Sequence, residues 1–207
     1  MRKPIATILL LLSNIIVFIL SFSLLFLTPD WNFEYEGVCT RFIEKFCFIP
    51  SKIFERPYSL ITSSFLHADV THLFFNMFAL LLFGSFLERK IGRKKFLIVY
   101  LLSVISGSVA YFLISPNSNV PALGASGGVF GIVGSLAILH PNLIVYVGFT
   151  PMPILFAAIL WGIISFLGLF TPSVIAHHAH LGGLLTGILM GIILRKRGKK
   201  IYKVHYF

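Results

Sequence analysis

The sequence predicts an all-α membrane protein, a bundle of six transmembrane helices, on three observations. Hydrophobic residues make up 57% of the 207-residue chain and charged residues only 12%, against roughly 25% charged in an ordinary soluble domain. No Asp, Glu, Lys or Arg occurs from Phe96 to Leu194. A soluble fold wets one face of every element, so a charge-free run of this length excludes one. The cations, finally, gather at the ends of apolar runs. Arg2 and Lys3 precede the first run. Arg89, Lys90, Arg93, Lys94 and Lys95 separate two others, and Arg195, Lys196, Arg197, Lys199, Lys200 and Lys203 follow the last. With Glu88 these groups sum to +12, and the segment 28–69 to −2, which gives the formal net charge of +10. This is the positive-inside pattern. The charge is thus a topology signal and not the footprint of nucleic-acid binding, which gathers cations on one face. The composition equally excludes a disordered chain and a disulfide scaffold.

A helix needs roughly 20 apolar residues to cross the hydrocarbon core. Six spans follow in order: 5–27, 70–87, 96–114, 125–140, 152–170 and 177–194. An even number brings the basic N-terminus, the 89–95 cluster and the basic tail 195–207 all to the cytoplasmic side. Five or seven would separate the two termini. The expectation is a multi-pass protein of the cell (plasma) membrane, one membrane domain over residues 1–207. The first span has the charged start of a signal peptide, but it is long for one and no A-x-A-like cleavage site follows, so it reads as an uncleaved helix. Segment 28–69 is an outer loop. Its Phe42, Ile43, Phe46, Phe48, Ile49, Ile53 and Phe54, scattered among charges, suit a segment lying in the membrane interface. Cys39 and Cys47, the only cysteines, fall in this loop. Oxidation is permitted there, and a Cys39–Cys47 disulfide and two free thiols both stay open.

The fourth span, residues 125–140, covers about 24 Å at 1.5 Å per residue, short of the ~30 Å core. Pro121 and Gly124 break the chain just before it, so its outer end is the recessed one. Backbone exposed at that depth is tolerated only against protein or a water-filled cavity. The fifth span hangs between short uncharged loops at Pro141–Met152 and Thr171–Ala176, which makes it the candidate gate for substrate.

Polar groups inside a membrane are expensive, and three clusters of them stand out. His72 and Asn76 lie one turn apart on one face of the second span. Gly124-Ala125-Ser126-Gly127-Gly128 opens the fourth. His177, His178 and His180 open the sixth. The second, fourth and sixth spans all run inward, so the three clusters share the outer half of the bilayer. Ala179, Gly183, Gly187 and Gly191 recur every four residues on the sixth span, and Gly127, Gly131 and Ser135 on the fourth. Small residues at this spacing let helices approach closely in lipid. If the two stripes meet, Ser126 and His180 come side by side.

A serine hydroxyl needs a neighbouring base to become a nucleophile, and His180 is the candidate. No carboxylate is available on spans three to six to orient the histidine, so the pair is a dyad. The tetrahedral intermediate needs hydrogen-bond donors for its oxyanion. His72 and Asn76 supply side-chain N–H groups, and the unpaired backbone N–H groups at Ser126 add to them. Of the other histidines, His67 suits loop structure and His140 the inner interface, while His177 and His178 carry no catalytic role.

These motifs together resemble the rhomboid family of intramembrane serine proteases over about Pro57–Gly191. LITSSFLHADVTHLFFNM (60–77) is similar to the family's stretch with its H-x-x-x-N motif, and FLERKIGRKKF (86–96) to the loop after the second helix. GASGGVFGIVG (124–134) resembles the nucleophile motif and AHLGGLLTG (179–187) the A-H-x-x-G-x-x-x-G motif. The resemblance implies Ser126 as nucleophile and His180 as base. It implies His72, Asn76 and Ser126 at the oxyanion, Phe130 packed against the histidine, and Gly124, Gly127, Gly183 and Gly187 in support. It implies a six-helix bundle that hydrolyses a peptide bond in or near the transmembrane segment of membrane-protein substrates, within the lipid bilayer, without cofactor or metal. One feature departs: the Trp-Arg pair that members often carry in the first loop corresponds to Tyr58-Ser59. Two other readings stand beside this one. His67, His72, His177 and His180 suit a metal or proton path in a transporter, although that leaves Ser126 and its glycines idle. The other is a catalytically idle scaffold that binds membrane helices.

Overall fold

The computed structural model describes residues 3–27, 41–171, 173 and 175–203. Helix α1 is Ile5–Leu27, α2 is the short Arg41–Phe46, and α3 is Ser59–Thr62. The second long helix runs as α4 (Val70–Ala79), a π-helical turn (Leu80–Gly84) and α5 (Ser85–Ile91). Then come α6 (Arg93–Ile114), α7 (Ser126–Leu139), strands β1 (Ile144–Val147) and β2 (Thr150–Pro153), α8 (Ile154–Gly168) and α9 (His177–Lys203). The protein is an all-α membrane bundle carrying one small hairpin. Among the described residues, the helical stretches 70–91, 93–114 and 177–196 are long and apolar enough to cross a membrane, and 126–139 and 154–168 are shorter apolar helices.

The differences from the expected spans have local causes. The second helix continues to Ile91 because its π turn absorbs an extra residue without breaking the ladder. It stops at Gly92, whose φ of 84° suits glycine. Helix α6 starts at Arg93, directly after the break at Gly92, so its first turn takes in Arg93, Lys94 and Lys95. Helix α9 runs on into the basic tail because Arg and Lys are good helix formers. Helix α8 is shorter than 152–170 because the preceding segment is not a loop. Residues 144–147 and 150–153 pair antiparallel, Ile144 against Pro153 and Val147 against Thr150, around a two-residue turn whose Gly148 has φ 61°.

The core of the bundle is the packing of α9 against α7 and α6. The two small-residue stripes meet. A Cβ placed on Gly183 would land on the carbonyl of Gly127, and one on Gly187 on that of Gly131. On the α6 side, a Cβ on Gly107 would lie 2.8 Å from the Ala179 carbonyl oxygen, and one on Gly182 2.6 Å from that of Ser106. The backbones therefore approach as closely as glycine allows. Hydroxyls bridge the gaps: Ser135 Oγ donates to the Gly187 carbonyl (2.8 Å), Ser106 Oγ to that of Gly182 (3.2 Å), and Thr186 Oγ1 to Ser106 Oγ (2.7 Å). Close dispersion contact and such bonds replace the hydrophobic effect that lipid cannot supply.

At one end of the bundle, α2 packs on the α3 region. Arg56 donates to the Glu44 carbonyl (2.9 Å), Tyr58 to that of Lys45 (3.2 Å) and Thr62 to that of Phe46 (2.9 Å). Tyr58, standing where a Trp was expected, thus helps satisfy the last carbonyls of α2. Cys47 is buried beside it, and Cys39 lies outside the described residues, as does the first part of the outer loop.

At the end of the bundle away from α2, Glu88 is only 2% exposed. Its carboxylate accepts from the backbone N–H groups of Ala6 (3.0 Å) and Thr7 (2.8 Å) and from the Thr7 hydroxyl (2.8 Å), with Arg93 at 3.9 Å. The first turn of α1 has no partners of its own, so one side chain both caps that helix and ties it to the second. Glu88→Ala strands three buried donors. The expected loss is about 3 kcal/mol of stability, with Glu88→Gln losing less, measured by thermal unfolding in detergent.

Candidate active site

The chain reaches α7 through a pinned loop. Phe48 and Ala122 exchange backbone hydrogen bonds of 2.9 and 2.7 Å, and Gly124 N–H donates to the Ser63 carbonyl at 2.9 Å. Gly124 has φ 116°, a conformation that L side chains rarely adopt. The hollow left by its missing Cβ holds the His72 ring: a Cβ there would lie 2.7 Å from His72 Nε2 and 4.0 Å from Asn76 Nδ2. The next two residues are Ala125, buried, and Ser126, the first residue of α7. Helix α7 has 14 residues, about 21 Å, against 22 residues for α6.

His180 sits in the first turn of α9. Its Nε2 lies 2.9 Å from Ser126 Oγ. Phe130, one turn beyond Ser126, stacks on the imidazole with centroids 4.2 Å apart and planes 11° from parallel. The ring is thus clamped on one face with an edge nitrogen aimed at the hydroxyl. Beyond Glu88 the sequence holds no Asp or Glu, so α6 to α9 offer this histidine no carboxylate.

His72 and Asn76 face the same spot from α4. Asp69 caps the helix, accepting from the His72 backbone N–H at 2.7 Å. The Ala68 N–H points at His72 Nδ1 at 3.4 Å, which assigns the ring proton to Nε2, the nitrogen beside Gly124. Asn76 Nδ2 gives one proton to the His72 carbonyl at 2.9 Å and keeps its second free to donate. Below Ser126 a cavity of about 30 Å³ is lined by Ser63, Ser64, Ser108, Gly124, Ser126 and Gly127, among others. That is room for one water among polar partners.

The other histidines have separate posts. His67 is 1% exposed, accepts from the Ala125 N–H at 3.5 Å and meets His72 edge-on at 5.0 Å. Burial, and then the neighbouring His72, push its pKa down to about 3, so it is a neutral acceptor that steadies the residue before Ser126. That contact is invisible in sequence, where only a loop role could be read. His177 bonds Ser173 at 3.2 Å and meets His180 edge-on at 6.0 Å. His178 stacks on Tyr111 at 4.9 Å, away from Ser126. His140 lies at the other end of α7 against Phe86. Among the described residues no three His, Cys, Asp or Glu gather as metal ligands.

Residues 55–197 match the family described as Rhomboid domain. The chain belongs to the rhomboid family. It is similar to Rhomboid protein 1, mitochondrial, of Saccharomyces cerevisiae, 30% identical over 174 residues that cover 78% of this chain and 49% of that protein. It is similar to the Rhomboid protease GluP of Bacillus subtilis, 34% identical over 140 residues, 65% of this chain and 25% of that one. RHOMBOID-like protein 6, mitochondrial, of Arabidopsis thaliana is 34% identical over 143 residues, 65% and 43%. This rhomboid therefore spans half or less of the length of these relatives. The family is one of intramembrane proteases, and this member is an integral membrane protein.

The Gly124 hollow yields a direct test of the site's packing. Gly124→Ala forces both a strained φ and a collision with His72. The expected destabilisation is on the order of 1–3 kcal/mol, read by thermal unfolding, whereas Gly148→Ala in the hairpin turn meets no neighbouring atom within 4 Å and carries the backbone strain alone.

Proposed function

We propose that this rhomboid is an intramembrane serine endopeptidase that cleaves membrane proteins in or near a transmembrane segment through a Ser126–His180 dyad. The observation that carries the reading is the 2.9 Å Ser126 Oγ–His180 Nε2 pair opening on the His72 and Asn76 donors. His180 Nε2 takes the hydroxyl proton as Ser126 Oγ attacks the scissile carbonyl carbon. The carbonyl oxygen becomes an oxyanion, and His72 Nε2–H, the free Asn76 N–H and the backbone N–H groups at Ser126 stabilise it. His180 then gives its proton to the leaving amine and the C–N bond breaks, leaving an ester on Ser126. A water, deprotonated by His180, hydrolyses the ester and restores both side chains. Phe130 and the α7–α9 contact fix the imidazole, so no orienting carboxylate is needed for this geometry. The three basic clusters support a chain in the cell membrane with both termini cytoplasmic and the dyad in the outer half of the bilayer.

The test is cleavage of a model transmembrane substrate by the purified protein in proteoliposomes. Ser126→Ala and His180→Ala should each lower the rate by at least roughly a thousandfold, and Asn76→Ala should lower kcat by on the order of 10²–10³. Undiminished cleavage by Ser126→Ala refutes the proposal. Abolition by a chelator would favour the His-lined metal path, and substrate binding without cleavage the idle scaffold.

A further inference from the structure

The β1–β2 hairpin stands at the end of the bundle opposite the Ser126–His180 pair, and its two faces differ in partners but not in polarity. Val145, 8% exposed, points inward and belongs to the main core, with Val147 and Met152 packed against that core. Ile144, Tyr146 and Phe149 point away, at 56%, 71% and 101% exposure. Residues 141–153 contain no charged side chain. A hairpin projecting into water would alternate apolar and polar; this one is apolar on both faces. It is also held rigidly. Its strands pair over their full length, and Ile154 N–H donates to the Leu143 carbonyl at 2.8 Å, so the outward row is presented and not merely loose.

What surrounds the hairpin indicates what covers that row. His140, just before it, sits edge-on to Phe86 at 5.4 Å, and the Lys90 ammonium lies over the same Phe86 ring at 5.3 Å. The hairpin base therefore adjoins the Arg89–Lys95 basic cluster. On its other side it continues into the outward face of α8, where Phe156 and Ile159 are exposed. Apolar side chains with a tyrosine, flanked by cations on one side and a lipid-facing helix on the other, match the headgroup boundary of a bilayer. From this we propose that residues 144–153 form a lipid-binding hairpin, seated in the anionic interfacial layer of the membrane with Tyr146 and Phe149 as its anchors. The proposal stands apart from the hydrolytic reading.

The test uses the full chain in vesicles of mixed phosphatidylcholine and phosphatidylglycerol. Phe149→Trp and, separately, Tyr146→Trp are compared with the unmodified chain, whose Trp31 and Trp161 emission is subtracted, after thermal unfolding has verified that each variant is folded. The expected difference emission is shifted to shorter wavelength than that of tryptophan in water. It should be quenched more by lipids brominated near the headgroup than by lipids brominated at mid-chain, and shielded from aqueous acrylamide. Water-like emission with strong acrylamide quenching would overturn the proposal. So would stronger quenching from mid-chain bromine, which places the hairpin in the hydrocarbon core. Protection from both bromolipids and acrylamide would also overturn it, since it means that protein, such as a second copy, covers the hairpin.

Discussion

The structure depends on the approach of α9 to α7. Each glycine of one stripe lies against a backbone carbonyl of the other, and a single added Cβ at Gly183 or Gly187 would occupy the place of that oxygen. Lipid gives two apolar helices no hydrophobic reason to associate, so the contact rests on dispersion at short range and on the Ser135 hydroxyl. It has a consequence one turn further out. The same register that seats Gly183 on Gly127 carries Ala179 past Gly127 and brings His180 to Ser126. Phe130 then closes on the imidazole because it lies one turn below the serine on the same helix. The site is an extension of the packing seam rather than a separate construction.

The remaining elements hold the two ends of that seam. At the Ser126 end, Ser63 takes the Gly124 N–H and His67 the Ala125 N–H, and the start of α7 lines the small cavity. At the opposite end Glu88 collects the first turn of α1 and binds it to the second helix. A buried carboxylate is expensive without partners; here three donors surround it. The Ser126 end has room for one water, and the Glu88 end is closed by hydrogen bonds.

Much of this was legible in the sequence because membrane burial amplifies pattern. The glycine stripes and the His72–Asn76 spacing are intervals on helices, and helical intervals fix faces, whereas the place of Phe130 against the histidine is implied by the family resemblance alone. What stayed hidden depends on contacts between segments far apart in the chain. Gly107 and Gly182 form the second seam, marked in the sequence only by the single four-residue pairs Ser103–Gly107 and Gly182–Thr186 rather than by longer stripes. Glu88 counted only as a lone anion among cations, since its partners on α1 lie about eighty positions away. His67 serves Ala125 through a single nitrogen. The hairpin was missed for another reason. Its strands are four residues each, two of the eight positions are proline, and its apolar character on both faces hides the alternation by which strands are recognised. With that hairpin in place, α8 is tethered at its N-terminal end by the Ile154 N–H to Leu143 carbonyl bond.

The most direct measurement of the central claim is the reactivity of Ser126 itself. The folded protein in detergent is exposed to a fluorophosphonate, digested and read by mass spectrometry, beside folded His180→Ala. An adduct is expected on the peptide containing Ser126 in the unmodified protein, and its loss in His180→Ala if the imidazole 2.9 Å away activates the serine. An unlabelled Ser126 in the folded protein, or equal labelling with and without His180, would contradict it.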